Sequence, residues 1–123
     1  ENRIQVSLAN HRAFLIRGDE EEYIDGEIFS VGGNFSGRAV NPFTNKECII
    51  NHGDILYMYT DGFHDELGGD SYAKYGSNRF AELLFENREL SFIDQVEILN
   101  NEYIMWKDRR KQTDDILVWG IRF

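Results

Sequence analysis

The chain has 123 residues, 41% of them apolar and 14% aromatic, with a single proline. That composition suits one folded domain and excludes a disordered one. Its 13 basic and 22 acidic side chains leave a formal charge of −9; such a field repels phosphate backbones and anionic lipid, which disfavours nucleic acid and membrane surfaces and favours cations or basic protein patches.

Ile4, Val6 and Leu8 alternate with Arg3, Gln5 and Ser7, the period of two expected of a half-buried strand. "AFLIR" follows after Asn10-His11-Arg12, so residues 3–17 are expected to form a hairpin. A short third strand is expected over Glu22 to Ile24. The stretch from Asp25 to Asn45, rich in glycine and holding the only proline, reads as a long loop. Lys46 to Ile50 resumes a strand, "NHGD" signals a turn, and Ile55 to Thr60 forms the next strand. Its near-continuous apolarity predicts cover on both faces.

Two helices come next. In the first, Phe80, Leu83 and Leu84 stand at i, i+3 and i+4, with Ser77 or Asn78 as the N-cap. The second opens with "SFID", a capping pattern from Ser91 to Asp94. Phe92, Val96, Leu99, Tyr103 and Trp106 then recur at helical spacing and form a packing face. "KDRRK" ends that helix with cations that complement its dipole, and a nucleic-acid role for them runs against the overall charge. "ILVWGIRF" supplies a last strand. Strands, two helices and a final strand predict an α+β domain with helices laid on an antiparallel sheet.

Cys48 is the sole cysteine, so no intrachain disulfide can form and a reducing, cytoplasmic setting is expected. No apolar run approaches the roughly 18 residues of a membrane span, and no signal peptide opens the chain. Without an initiator Met, the chain is expected to be cut from something longer.

The chemistry-bearing candidates are carboxylates. Asp61 ends one strong strand, and Asp114-Asp115 lead into another. If those strands run antiparallel and close together, the end of one meets the start of the other on one edge of the sheet. Convergent carboxylates repel, and a bound Mg²⁺ or Mn²⁺ is the usual reason to tolerate them. Adjacent strand residues point to opposite faces, so only one of Asp114 and Asp115 easily joins Asp61. The bland alternative is that Asp61-Gly62 is an ordinary turn and that "TDD" keeps the start of a strand soluble.

His11 and His52 fall in predicted turns, where a solvated ring is expected. His64 with Asp65 and Glu66 could suggest Zn²⁺, but too few nitrogen or sulfur ligands lie nearby. Cys48 lies within a predicted strand between Glu47 and Ile49 and reads as a small core residue rather than a nucleophile. Gly32-Gly33 and Gly37 lack the strand–loop–helix frame and the Lys of a phosphate cradle.

"HGDILYMYTDGFHDELGGDSYAKYGSNRFAELL" followed by "QTDDILVWGIRF" resembles the C-terminal half of a bacterial PPM-type phosphatase, closest to the stage II sporulation protein E family of protein serine/threonine phosphatases. "LANHRAFLIR" resembles that family's Ala-Asn-x-Gly-His strand-turn-strand in shortened form. "IFSVGG" resembles its Pro-x-Gly loop, with Val31 and Gly32 in place. The resemblance implies part of an α-β-β-α sandwich, two antiparallel sheets flanked by helices, with two Mn²⁺ or Mg²⁺ ions at one end that activate a bridging water for attack on phosphorus. It implies Asp61 and Asp114 as catalytic metal ligands and Asp115 in a supporting role. The implied substrate is a phosphorylated regulatory protein such as an anti-sigma factor antagonist, and the Gly-Gly and "AKYG" segments are similar to members that carry a sensor region, some of them membrane-anchored.

One departure matters. The family's bridging ligand comes from an early Asp-x-x-Gly-His-Gly motif, which these 123 residues do not contain. The expectation is that residues 1–123 form the C-terminal part of a phosphatase domain and are inactive alone. The alternatives are a split or catalytically inactive module that docks a partner protein, and a plain acidic scaffold with no site.

Overall fold

A computed structural model describes residues 2–32 and 43–123. In chain order the elements are β1 (Asn2–Val6), β2 (Arg12–Arg17), β3 (Glu20–Asp25), β4 (Lys46–Ile50), β5 (Ile55–Tyr59), β6 (Leu67–Gly68), β7 (Ala73–Lys74), α1 (Ser77–Glu86), α2 (Phe92–Lys107) and β8 (Val118–Arg122). Antiparallel sheets with two helices make an α+β fold, as the order of elements predicts. Two compact units are distinguishable, one running to Met58 and including Ile121–Phe123, the other spanning Tyr59–Gly120.

The first unit corrects the expected hairpin over residues 3–17. β1 pairs antiparallel with β4, from Asn2 opposite Ile50 to Val6 opposite Lys46, and not with β2. β2 lies between β3 and β5 in a sheet ordered β3-β2-β5-β8. The reason lies in the intervening segment. Asn10 takes a left-handed φ of 50°, its N–H donates to Glu27 O at 2.6 Å, and Glu27 N–H donates to Leu8 O at 3.0 Å. The chain is thereby tied to the end of β3 and carried from one sheet to the other. Alternating hydrophobicity shows which face of a strand is buried but not which strand lies beside it.

The true hairpin is β2–β3, closed at Gly18 with φ 57°. Ala13, Leu15, Ile24, Ile50 and Leu56 form a buried cluster, with Ile4, Val6, Cys48, Ile121 and Phe123 against it, so the β1–β4 pair and the larger sheet share one core. On the other face of β2, Phe14 is also fully buried and stacks on Tyr23 and Tyr57 with ring centroids 5.0 and 6.4 Å apart. β5 is buried along nearly its whole length, which bears out the cover expected from its unbroken apolar run.

The "NHGD" turn is built on Gly53 at φ 93° and on Asp54, whose Oδ2 accepts from Asn51 N at 2.9 Å and from Arg17 Nη1 at 3.2 Å. Arg17 Nη1 also donates to Ile49 O at 2.7 Å. Asp54 thus fastens β2 to the β4–β5 turn.

In the second unit, α1 begins one residue earlier than Ser77 or Asn78 would imply. Its N-cap is Gly76, at φ 100°, which has no side chain to cap with; the Gly76 N–H is held by His64 O at 2.9 Å. α2 opens as its capping pattern predicts: Asp94 N donates to Ser91 Oγ at 3.2 Å, and Ser91 Oγ donates back to Asp94 Oδ2 at 2.6 Å. Its apolar stripe is less buried than expected. Tyr103 is buried, whereas Val96 is 65% exposed and lines an open groove of about 360 Å³ with Leu99, Phe63 and Val118. The long loop expected from Asp25 to Asn45 lies partly outside the described residues, as do Gly33 and Gly37.

Candidate functional site

The site begins where β5 stops. Thr60 continues the ladder, its N–H donating to Leu117 O at 2.9 Å, while its hydroxyl donates to Asp115 O at 2.9 Å and accepts from Leu117 N at 3.0 Å. Gly62 comes so close to the same segment that a Cβ there would stand 2.3 Å from Asp115 O. Each residue of Thr-Asp-Gly therefore has its own physical reason. A hydroxyl bridges two backbone groups of the opposing strand, and a missing side chain lets the backbones meet. Asp61, held between those two contacts, is exposed. Its carbonyl accepts from Asp65 N at 2.8 Å, which closes the tight turn after it.

The opposing segment carries the acids that lead into β8. Asp114 and Asp115 are both exposed. Asp114 Oδ1 accepts from Asp115 N at 2.7 Å, and Gln112 Nε2 donates to Asp114 O at 2.7 Å. The end of β5 and the segment leading into β8 thus lie on one rim, as antiparallel neighbours must, so the stretches that carry Asp61 and Asp114 are joined through Thr60 and Asp115 although 53 positions apart in sequence. For a divalent cation the donors at this rim are of the right kind, hard carboxylate oxygens. They are too few to complete a site, because among the described residues no three His, Cys, Asp or Glu side chains gather closely enough to hold an ion.

The His64-Asp65-Glu66 run does not gather at one point: His64 Nε2 lies 4.0 Å from Asp65 Oδ1, and Glu66 turns away from both. Asp65 pairs with Lys74 at 3.0 Å. His64 lies edge-on to Tyr59, ring centroids 6.0 Å apart, and its buried Nδ1 has no hydrogen-bond partner among the described residues. Glu66 turns inward and is 1% exposed, accepting from the Tyr103 hydroxyl at 2.5 Å and from Thr113 N and Oγ1 at 3.3 Å each. The sequence offers Glu66 only as part of a weak zinc cluster and does not reveal its burial, since nothing in the run "HDEL" separates a buried acid from the solvated one beside it.

Around that carboxyl lies an aromatic cluster. Phe63 contacts Phe80 and Tyr103, with ring centroids 4.6 and 5.4 Å apart. Gly68 and Gly69 lie flat under Trp106, where a Cβ on Gly68 would stand 2.1 Å from Trp106 O. Burial, and then the bond to Glu66, raise the Tyr103 phenol well above its ordinary range. Tyr75, whose hydroxyl donates to Glu102 at 3.0 Å, is pushed up to about 12, first by burial and then by that bond. In the first unit, burial and then Glu22 push the Cys48 thiol up, which suits its expected place as a core residue.

Comparison with known proteins bears on the family and the fold. No curated protein matches the sequence. Among solved structures, the SiaA PP2C domain of Pseudomonas aeruginosa is 26% identical and superposes with a TM-score of 0.81 over 97% of this chain and 46% of that one. The phosphatase domain of the cell fate determinant SpoIIE from Bacillus subtilis is 16% identical, with a TM-score of 0.61 over 98% of this chain and 50% of that one. A structure of the RsbU and RsbW domains of Rv1364c from Mycobacterium tuberculosis is 20% identical, with a TM-score of 0.66 over 98% and 32%. The chain therefore spans at most half the length of these relatives. All residues from 1 to 123 match the stage II sporulation protein E family. The chain belongs to that family, and its fold is that of a PP2C-type phosphatase domain.

Proposed function

We propose that this chain is the C-terminal part of a metal-dependent protein serine/threonine phosphatase domain that hydrolyses phosphoserine or phosphothreonine on a regulatory protein such as an anti-sigma factor antagonist. The observation that supports the reading is the clamp of Thr60 and Gly62 on Asp115, which joins the residues on either side of Asp61 to the one after Asp114. In this reading Asp61 and Asp114 are ligands to Mn²⁺ or Mg²⁺, and Asp115 supports them. The bound metals would supply an activated water and neutralise phosphoryl charge. The reducing compartment inferred from the single Cys48, and a sensor region N-terminal to the domain, belong to the same proposal.

Titration calorimetry with Mn²⁺ tests the site. Wild type is expected to bind weakly, since Mg²⁺-type ions bound by one or two carboxylates keep most of their waters, and Asp61→Ala is expected to give no heat. Equal heats from the two proteins would sink the reading and leave a plain acidic scaffold. The purified 123-residue chain is expected to leave a phosphoserine peptide intact in Mn²⁺; hydrolysis would mean that two acids suffice. A second reading, a non-catalytic or split module that docks a partner, is favoured by the lack of an Asp-x-x-Gly-His-Gly motif in these residues. Retained binding of the target phosphoprotein by Asp61→Ala together with absent Mn²⁺ binding by wild type would select it.

A further inference from the structure

Asp114 sits in a stretch that no sheet holds. β8 begins only at Val118, and α2 ends at Lys107. Two anchors flank Asp114. On one side Asp115 O is caught by Thr60 and pressed by Gly62. On the other, Thr113 rests on the Glu66 carboxyl through both its backbone N–H and its hydroxyl. The same carboxyl takes the Tyr103 hydroxyl from α2, and the Glu66 carbonyl accepts from Trp106 Nε1 at 2.9 Å and from Tyr75 N at 3.0 Å. Burying a carboxyl is costly unless its oxygens are satisfied. Here three donors satisfy it, and an apolar residue in its place would orphan Thr113 N–H and Tyr103 O–H together.

We propose that Glu66 is a positioning residue for the acid rim: its buried carboxyl holds Thr113, and so sets Asp114 beside the segment that carries Asp61. It also ties that rim to α2 through Tyr103, so the docking of the helix and the placement of Asp114 depend on one side chain. The inference rests on the reading of Asp61 and Asp114 as cation ligands, and the test separates the two. Side chains that orient a ligand from behind typically change metal affinity by about 10–100-fold when altered.

The experiment compares wild type, Glu66→Met and Thr113→Val by two measurements. Backbone amide exchange is followed by NMR on the metal-free chain, and Mn²⁺ is titrated with the free ion followed by electron paramagnetic resonance. Glu66→Met keeps nearly the volume but removes both acceptor oxygens, which leaves Thr113 N–H and Tyr103 O–H without a partner. Glu66→Gln would not serve, since its amide oxygen can accept from both while its NH₂ donates to Thr113 Oγ1. Glu66→Met is expected to speed exchange at the Asp115 and Leu117 amides by about tenfold or more, the worth of a hydrogen bond to a charged group, while the β2–β3 hairpin amides stay unchanged. Mn²⁺ affinity is expected to fall by about tenfold or more. Thr113→Val leaves the Tyr103 bond to Glu66 in place, and a smaller change of the same kind is expected. Unchanged exchange at Asp115 and Leu117 overturns the proposal, as does faster exchange with wild-type Mn²⁺ affinity. If Glu66→Met does not fold, Thr113→Val decides by the same exchange criterion. If the amides loosen while Mn²⁺ binds neither wild type nor variant, the positioning role stands and the cation reading falls.

Discussion

Gly62 shows how much a single position can carry. A Cβ would meet the backbone oxygen of Asp115 at 2.3 Å, and a backbone atom cannot swing aside as the tip of a side chain can. Gly62→Ala should therefore part the rim and destabilise the chain by about 2 kcal/mol or more, in the upper range for overpacked sites; urea denaturation measures it, and a midpoint equal to wild type would refute the close approach. Asp61→Ala should do the opposite. Its side chain is exposed, so stability should stay within about 0.5 kcal/mol of wild type while Mn²⁺ binding is lost. Thr-Asp-Gly was legible in the sequence as a motif, and the structure supplies the division of labour: Thr60 and Gly62 hold the opposing strand, and Asp61 is left free to face solvent. Glu66 was not legible, because burial of an acid depends on donors from Tyr103 and Thr113 that are 37 and 47 residues away.

The helices and strands differed in how readily they could be read. α2 was readable because its signals are local: the Ser91 cap and Asp94 lie within one turn. Ser91→Ala is expected to cost about 1 kcal/mol, the usual worth of such a cap, measured as a shift in urea midpoint at constant slope; no shift would mean that the reciprocal bond with Asp94 contributes nothing. α1 was readable in its buried face, Phe80 and Leu84, but not in its start, since Gly76 is fixed by a bond to His64 that no local pattern announces. β1 and β2 were readable as strands and misread as partners. Pairing is a choice among strands distant in sequence, and β1 finds β4 40 to 48 positions away.

For the molecule as a whole, alkaline pH offers a test of the buried tyrosines. The folded state raises the Tyr75 phenol from 10.0 to about 12, chiefly by burial, and raises Tyr103 in the same direction. A raised phenol favours the protonated, folded form, so its contribution is complete below pH 10. Above that the unfolded chain binds fewer protons than the folded one, and stability falls as pH rises towards 12. Denaturation midpoints measured from pH 8 to 12 should decline, and the decline should be shallower in Tyr75→Phe; equal slopes would mean that the phenol is not differentially protonated. At this scale the division between sequence and structure is clear. The amino-acid sequence alone determined the fold class and, through the resemblance of its ordered motifs, the family, because periodicity and a contiguous motif such as Thr-Asp-Gly are written in neighbouring residues. Only the tertiary structure decided that β1 belongs with β4, that Asp115 is clamped to the end of β5, and that the buried Glu66 carboxyl holds Thr113. Each of these depends on backbone groups brought together from far apart in the chain, where steric fit and hydrogen-bond satisfaction select among partners that local sequence leaves equal.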